Sequence, residues 1–112
     1  MNNMMVIDGH RAVVQYDPDI DMFRGEFMGL NGGADFYAPD VEGLHREGAI
    51  SLKVFFDTCR ETGTEPVRTF SGKFQARVTP ELHLRSTEAA AARGISLNQF
   101  VQSAIERALC AA

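Results

Sequence analysis

The chain has 112 residues, of which 45% are apolar and 23% charged, with a net charge of −4. That length holds one ordinary domain or two small ones and excludes a multidomain enzyme. No apolar run approaches the roughly 20 residues of a membrane span, Met1–Gly9 lacks the basic start and long apolar stretch of a signal peptide, and Cys59 and Cys110 alone make neither a disulfide framework nor a thiolate metal cluster.

These features point to a cytoplasmic protein with reduced thiols, no membrane partner and no cofactor. The average charge hides an asymmetry. Residues 1–70 carry six Lys/Arg against twelve Asp/Glu, a balance of −6, whereas residues 71–112 carry five against three, a balance of +2. Halves of opposite sign imply two modules with different partners.

In chain order, His10–Tyr16 is rich in Val and aromatic residues and reads as a strand. Asp17-Pro18-Asp19-Ile20-Asp21 is turn chemistry, because proline fixes φ and Asp side chains bond the local backbone. Met22–Phe27 alternates, with Met22, Arg24 and Glu26 on one face and Phe23, Gly25 and Phe27 on the other. Asn31-Gly32-Gly33 is a turn whose residues tolerate positive φ, and Ala34–Ala38 is a short third strand ended by Pro39.

Asp40 is placed to cap a helix running to about Thr62, with Gly63 as its stop. Val41, Leu44, Gly48, Leu52, Phe55 and Cys59 form one apolar stripe along it, widened by Ile50, Val54 and Phe56. Gly63–Gly72 is a connector in which Val67 and Phe70 leave room for a short extra strand.

The remainder follows a different pattern. Lys73–Val78 alternates, with Phe74, Ala76 and Val78 on one face and Lys73, Gln75 and Arg77 on the other. Thr79 caps a helix that opens with Pro80 and stops at Gly94. Ser96-x-x-Gln99 is a capping box, and Ile95 before it is spaced to pack on Phe100. Leu97, Phe100, Val101, Ala104, Ile105, Ala108 and Leu109 give the last helix an apolar face.

The fold class expected is therefore α+β: a three- to four-stranded, antiparallel-rich sheet with one helix over residues 1–70, then a strand–helix–helix module over residues 71–112. One strand cannot satisfy its own edges, and fewer than about 40 residues rarely make a sufficient core. The economical solution is a homodimer in which two copies of the strand pair as an antiparallel ribbon above four helices. Lys73, Gln75 and Arg77 of both copies would then face outward from a ribbon that fits the major groove, where Gln reads adenine and Arg or Lys reads guanine. Ser96, Leu97 and Asn98, at the start of the last helix, would offer backbone N–H groups to a phosphate.

This tail, from SGKFQARVTP to GISLNQFVQSAIERAL, resembles the ribbon-helix-helix tail of HicB antitoxins. The run FRGEFMGLNGGADFYAPDVEGLHREGAISLKVFFDTCRETGTEP resembles the HicB head, a partial, inactive RNase H-like fold in that family. Ser86 stands where the family usually has an apolar residue, and Leu84 falls off that stripe. The resemblance implies an antitoxin that masks a HicA-type, mRNA-cleaving toxin and represses its own operon by binding operator DNA through the tail. An RNA-cutting partner must carry a basic surface, so an acidic head has the right sign to occlude one. Assembly beyond the dimer, to a tetramer through the heads, stays open.

Two rivals remain. One is a stand-alone ribbon-helix-helix regulator without a toxin. The other is a small metal-dependent nuclease using Glu26, Asp35 and Asp57. The second is disfavoured by chain length and by the inactive head that the resemblance implies. Asp17, Asp19 and Asp21 have calcium-loop spacing, but Met22 and Met28 stand where that loop needs Gly and Glu, so the reading is an acidic turn. His10, His45 and His83 have no metal or triad spacing. Neither a catalytic residue nor a metal ligand is assigned.

Overall fold

A computed structural model describes residues 3–110 and divides into two compact units, one ending at Ser71 and one beginning at Gly72. The first unit is a four-stranded antiparallel meander, β1 (Met4–Ile7), β2 (His10–Asp17), β3 (Met22–Phe27) and β4 (Asp35–Ala38), followed by helix α1 (Val41–Thr62). Three strands and the helix lie where periodicity puts them. The additional strand is β1, which pairs Met5 with Ala12 and Ile7 with His10 across an Asp8-Gly9 turn. Both turn residues have positive φ, 50° and 81°, the backbone of the tight two-residue hairpin that Asp-Gly favours.

The registers align the inward residues in rows. Ala12 stands opposite Met5 and Phe27, Gly25 joins Val14 to Phe36, and Phe23 joins Tyr16 to Ala38. Of these, Ala12, Phe27, Phe36 and Ala38 build the core with Ile7, Leu44 and Leu52, Met5, Val14 and Phe23 pack against it, and Tyr16 stays exposed. Gly48 shows why the helix can lie so close. A Cβ there would run into Ile7 Cδ1 and stand 3.1 Å from the Phe36 ring, so the smallest residue sets the distance between layers. Asp40 caps α1, its carboxylate accepting the Gly43 N–H at 2.6 Å, and Gly63 ends the helix at φ 70°. The expected stripe on α1 is only partly used: Leu44, Gly48, Leu52 and Cys59 are buried, whereas Val41, Ile50 and Val54 are more than half exposed.

Two local expectations are corrected. The β3–β4 connection takes its positive φ at Gly29 (76°), not within Asn31-Gly32-Gly33. Asn31 serves as a clamp instead. Its N–H donates to Pro66 O, and its side-chain amide donates to Glu65 O and Val67 O at 2.9 and 3.3 Å. With the Arg68 N–H donating to Gly29 O, this fastens the connector to the head, and the extra strand shrinks to one bridge, Leu30 with Val67. Phe70 takes no part in it and is 69% exposed.

The second unit contains α2 (Pro80–Ala92) and α3 (Leu97–Cys110). Thr79 Oγ1 accepts the Leu82 N–H at 3.1 Å, and Pro80 opens the helix as expected. At the other end the Gly94 N–H donates to Ala91 O and the Ile95 N–H to Ala90 O. This is the Schellman closure, which needs the left-handed φ of 70° that Gly94 supplies. Leu84 points outward at 61% exposure while Ser86 is half-buried, so the stripe of α2 carries a hydroxyl where the longer side chain would have packed.

Lys73–Val78 is not a strand of this structure, contrary to expectation. A ladder requires a neighbouring strand, and among the described residues no sheet strand or isolated bridge involves residues 73–78. The second unit is thus two capped helices preceded by a segment that belongs to no described strand.

Candidate nucleic-acid interface

Residues 73–79 are exposed throughout, both the polar set Lys73, Gln75 and Arg77 and the apolar set Phe74, Ala76 and Val78. Phe74 is 74% exposed and Val78 50%. Burying a Phe or Val side chain is worth about 1.5–3 kcal/mol, so a single copy of this segment forgoes that gain at two positions. The helices below repeat the pattern. Ala90 is the one buried residue of α2, and α3 has none. Leu82, Val101, Ile105 and Leu109 are exposed by 51, 42, 39 and 73%. Besides Ala90, only Ser86, Ala89, Ile95, Leu97, Phe100 and Ser103 of this unit are even half-buried among the described residues, and the Arg93 guanidinium lies 5.2 Å from the centre of the Phe100 ring.

The amino end of α3 is built as the capping box requires. The Ser96 N–H donates to Gln99 Oε1 at 2.9 Å, and Ser96 Oγ accepts the Gln99 N–H at 3.0 Å. This changes the role expected of Ser96. Its amide is occupied, so the backbone donors that remain for an anion are those of Leu97 and Asn98. The Ser96 hydroxyl proton can join them, because its oxygen is used only as an acceptor in the cap. Those donors sit at the positive end of the helix dipole, which favours a phosphate. The six residues read as DNA-contacting thus fall into two groups: Lys73, Gln75 and Arg77 on an exposed stretch outside any helix or strand, and Ser96, Leu97 and Asn98 at a helix start.

The carboxylates of the nuclease rival are committed elsewhere. Glu26 and Asp35 stand directly opposite each other across β3 and β4, and Arg24 bridges them, at 3.5 Å to Glu26 and 2.5 Å to Asp35. Hydrogen bonding to Tyr37, then to Asp35, raises the Arg24 pKa further above its ordinary value. Asp57 lies on α1, paired with Lys53 at 3.1 Å and Arg60 at 2.6 Å. The hydrogen bond from Lys53 is the main cause that lowers its pKa, with Arg60 adding to it. Among the described residues no group of three His, Cys, Asp or Glu stands where it could hold a metal ion. Asp17, Asp19 and Asp21 form a turn: the Asp19 N–H donates to Asp17 Oδ1 at 3.0 Å, and the Tyr16 hydroxyl donates to Asp21 Oδ1 at 2.6 Å. The Asp21 bond is the largest cause of a raised Tyr16 pKa, followed by desolvation and the Asp17 charge.

Among the described residues no helix is long and apolar enough to cross a membrane. Residues 55–105 match the family model described as HicB family. Comparison with curated proteins gives no match, and neither does comparison with solved structures.

Proposed function

Because this chain is a HicB-family protein, we propose that it is the antitoxin of a HicA-like, mRNA-cleaving toxin and represses its own operon through its tail. The HicB family is generally the antitoxin of HicAB toxin–antitoxin systems. The observation that carries the proposal is the extent of the match, residues 55–105, which runs from the second half of α1 through the connector into α3. In this reading residues 1–70 are the toxin-binding head, and residues 71–112 are the DNA-binding and dimerisation domain. The antiparallel meander with one helix supports reading the head as a partial RNase H-like fold that blocks the toxin by occlusion and performs no catalysis. Messenger RNA and operator DNA place its work in the cytoplasm.

The exposed apolar residues support the tail assignment. Two copies of residues 73–78, paired antiparallel, would cover Phe74 and Val78 against the four helices and pair one edge of each strand. Lys73, Gln75 and Arg77 would project from the other face of that ribbon, for base contacts in the major groove. Ser96, Leu97 and Asn98 would hold a flanking phosphate. With a tail balance of only +2, affinity depends on dimerisation and falls as salt rises.

A stand-alone regulator is the second reading, and one observation favours it: the match begins at Phe55 and leaves the sheet outside it. An RNA-cleavage assay separates the two. The antitoxin reading expects a small basic protein to be encoded beside this chain and to cut labelled messenger RNA, and an equimolar amount of this chain to stop the cutting. Undiminished cleavage at tenfold excess, about the most that weak binding could conceal at micromolar concentration, would favour the stand-alone regulator.

A further inference from the structure

We propose that the toxin docks on the head at an apolar groove beside the acidic end of the sheet. The proposal rests on the antitoxin reading above. Helix α1 lies chiefly over β4, so its start leaves part of the inward face of β1, β2 and β3 uncovered. The opening is a groove lined by Met5, Val14, Tyr16, Phe23, Val41 and Leu44. Its wall is held in place, because the Tyr16 ring packs edge-on to Phe23 with centroids 6.0 Å apart while its hydroxyl is bonded to Asp21. Tyr16 and Val41 are 55% and 60% exposed, and Ile20 nearby is 48% exposed.

The rim of this groove is anionic. Asp17 closes β2, Asp19 and Asp21 lie in the turn after it, and the pairing of Phe23 with Ala38 brings Asp40 and Glu42 to the same end. None of these five carboxylates is in an ion pair among the described residues. By contrast, Glu26, Asp35, Glu47 and Asp57 are all neutralised by Arg24, Arg46, Lys53 or Arg60. Arg46, one turn along α1 from Glu42, is paired with Glu47 at 3.4 Å.

An apolar slot ringed by unpaired carboxylates selects a cationic protein segment that presents one apolar side chain between Lys or Arg residues. A ribonuclease that holds phosphates has such a surface. Occupying it here would set carboxylates where its RNA phosphates belong. A second copy of this chain would bring like charge to the same place and is disfavoured.

The test uses the full chain and the purified small basic protein that the antitoxin reading expects as its toxin. Asp19→Lys with Glu42→Lys reverses two rim charges whose side chains make no hydrogen bond or ion pair among the described residues. Glu61→Lys with Glu65→Lys makes the same change in net charge at the other end of α1, about 30 Å away along a helix of this length. The rim variant is expected to lose about tenfold or more in toxin affinity near 0.1 M salt, and the distant variant less than about twofold. Circular dichroism shows whether both keep the fold. Equal losses, or no loss at the rim, would overturn the docking site while leaving the antitoxin reading intact. If the unaltered chain fails to bind the toxin, the antitoxin reading falls and the docking site with it.

Discussion

Replacing Gln75 and Arg77 together by alanine is expected to abolish operator-specific binding while leaving the dimer assembled. Both side chains are exposed in a segment whose apolar partners, Phe74 and Val78, are what a second copy would cover. Their removal therefore touches the readout and not the interface. A good bidentate contact to a base discriminates by about 1–3 kcal/mol. Two such contacts from each of two copies give at least about 4 kcal/mol, close to a thousandfold in affinity. Lys73 and the α3 amino end remain in the variant, so residual binding becomes insensitive to sequence and steeply dependent on salt. Fluorescence anisotropy at one fixed salt concentration, on operator and on scrambled DNA, measures this difference. An operator affinity equal to that of the parent chain would exclude the ribbon as the reading surface.

Val78→Asp combined with Ile105→Asp is expected to convert the dimer to a monomer and eliminate operator binding. Each site is half-exposed or nearly so in one copy, at 50% and 39%, and would be covered in two. An uncompensated carboxylate in a dry interface costs several kcal/mol, which is comparable with everything that so small a tail can gain. The head should keep its sheet, since its buried core and the residues packed on it lie between Met5 and Cys59. Light scattering after size exclusion gives the mass, and circular dichroism reports whether the sheet survives. A variant that stays dimeric with full operator affinity would mean that the tail does not associate through this face.

Much of this architecture can be read from periodicity. The alternation of Met22–Phe27, the three- and four-residue spacing of α1, and the caps at Asp40, Thr79 and Ser96 each encode a local structure that needs no knowledge of distant residues. β1 escapes that reading because four consecutive apolar residues, Met4–Ile7, show no alternation. The signal for it is Asp8-Gly9, a two-residue hairpin turn immediately before His10. The segment 73–78 is the opposite case: its alternation states which faces it has but not what it pairs with, and its neighbour is proposed to be another copy. The Asn31 clamp and the groove at Tyr16 are not legible in the sequence at all. Each is assembled from residues more than thirty positions apart, or from four elements at once, which only the registers bring together. Ser96 lies between these cases: the capping box could be read, and its consequence is that the Ser96 amide is spent within the protein.

In the function proposed, one chain binds a toxin through its head and an operator through a dimeric tail. Native mass spectrometry of the complex purified from its own operon, with only this chain tagged, probes both halves of that statement at once. The expected result is a species containing two or a multiple of two copies of this chain together with a small basic protein, which gains the mass of one duplex when operator DNA is added. A chain that emerges from its own operon as a monomer, with no protein partner and no uptake of DNA, would contradict it.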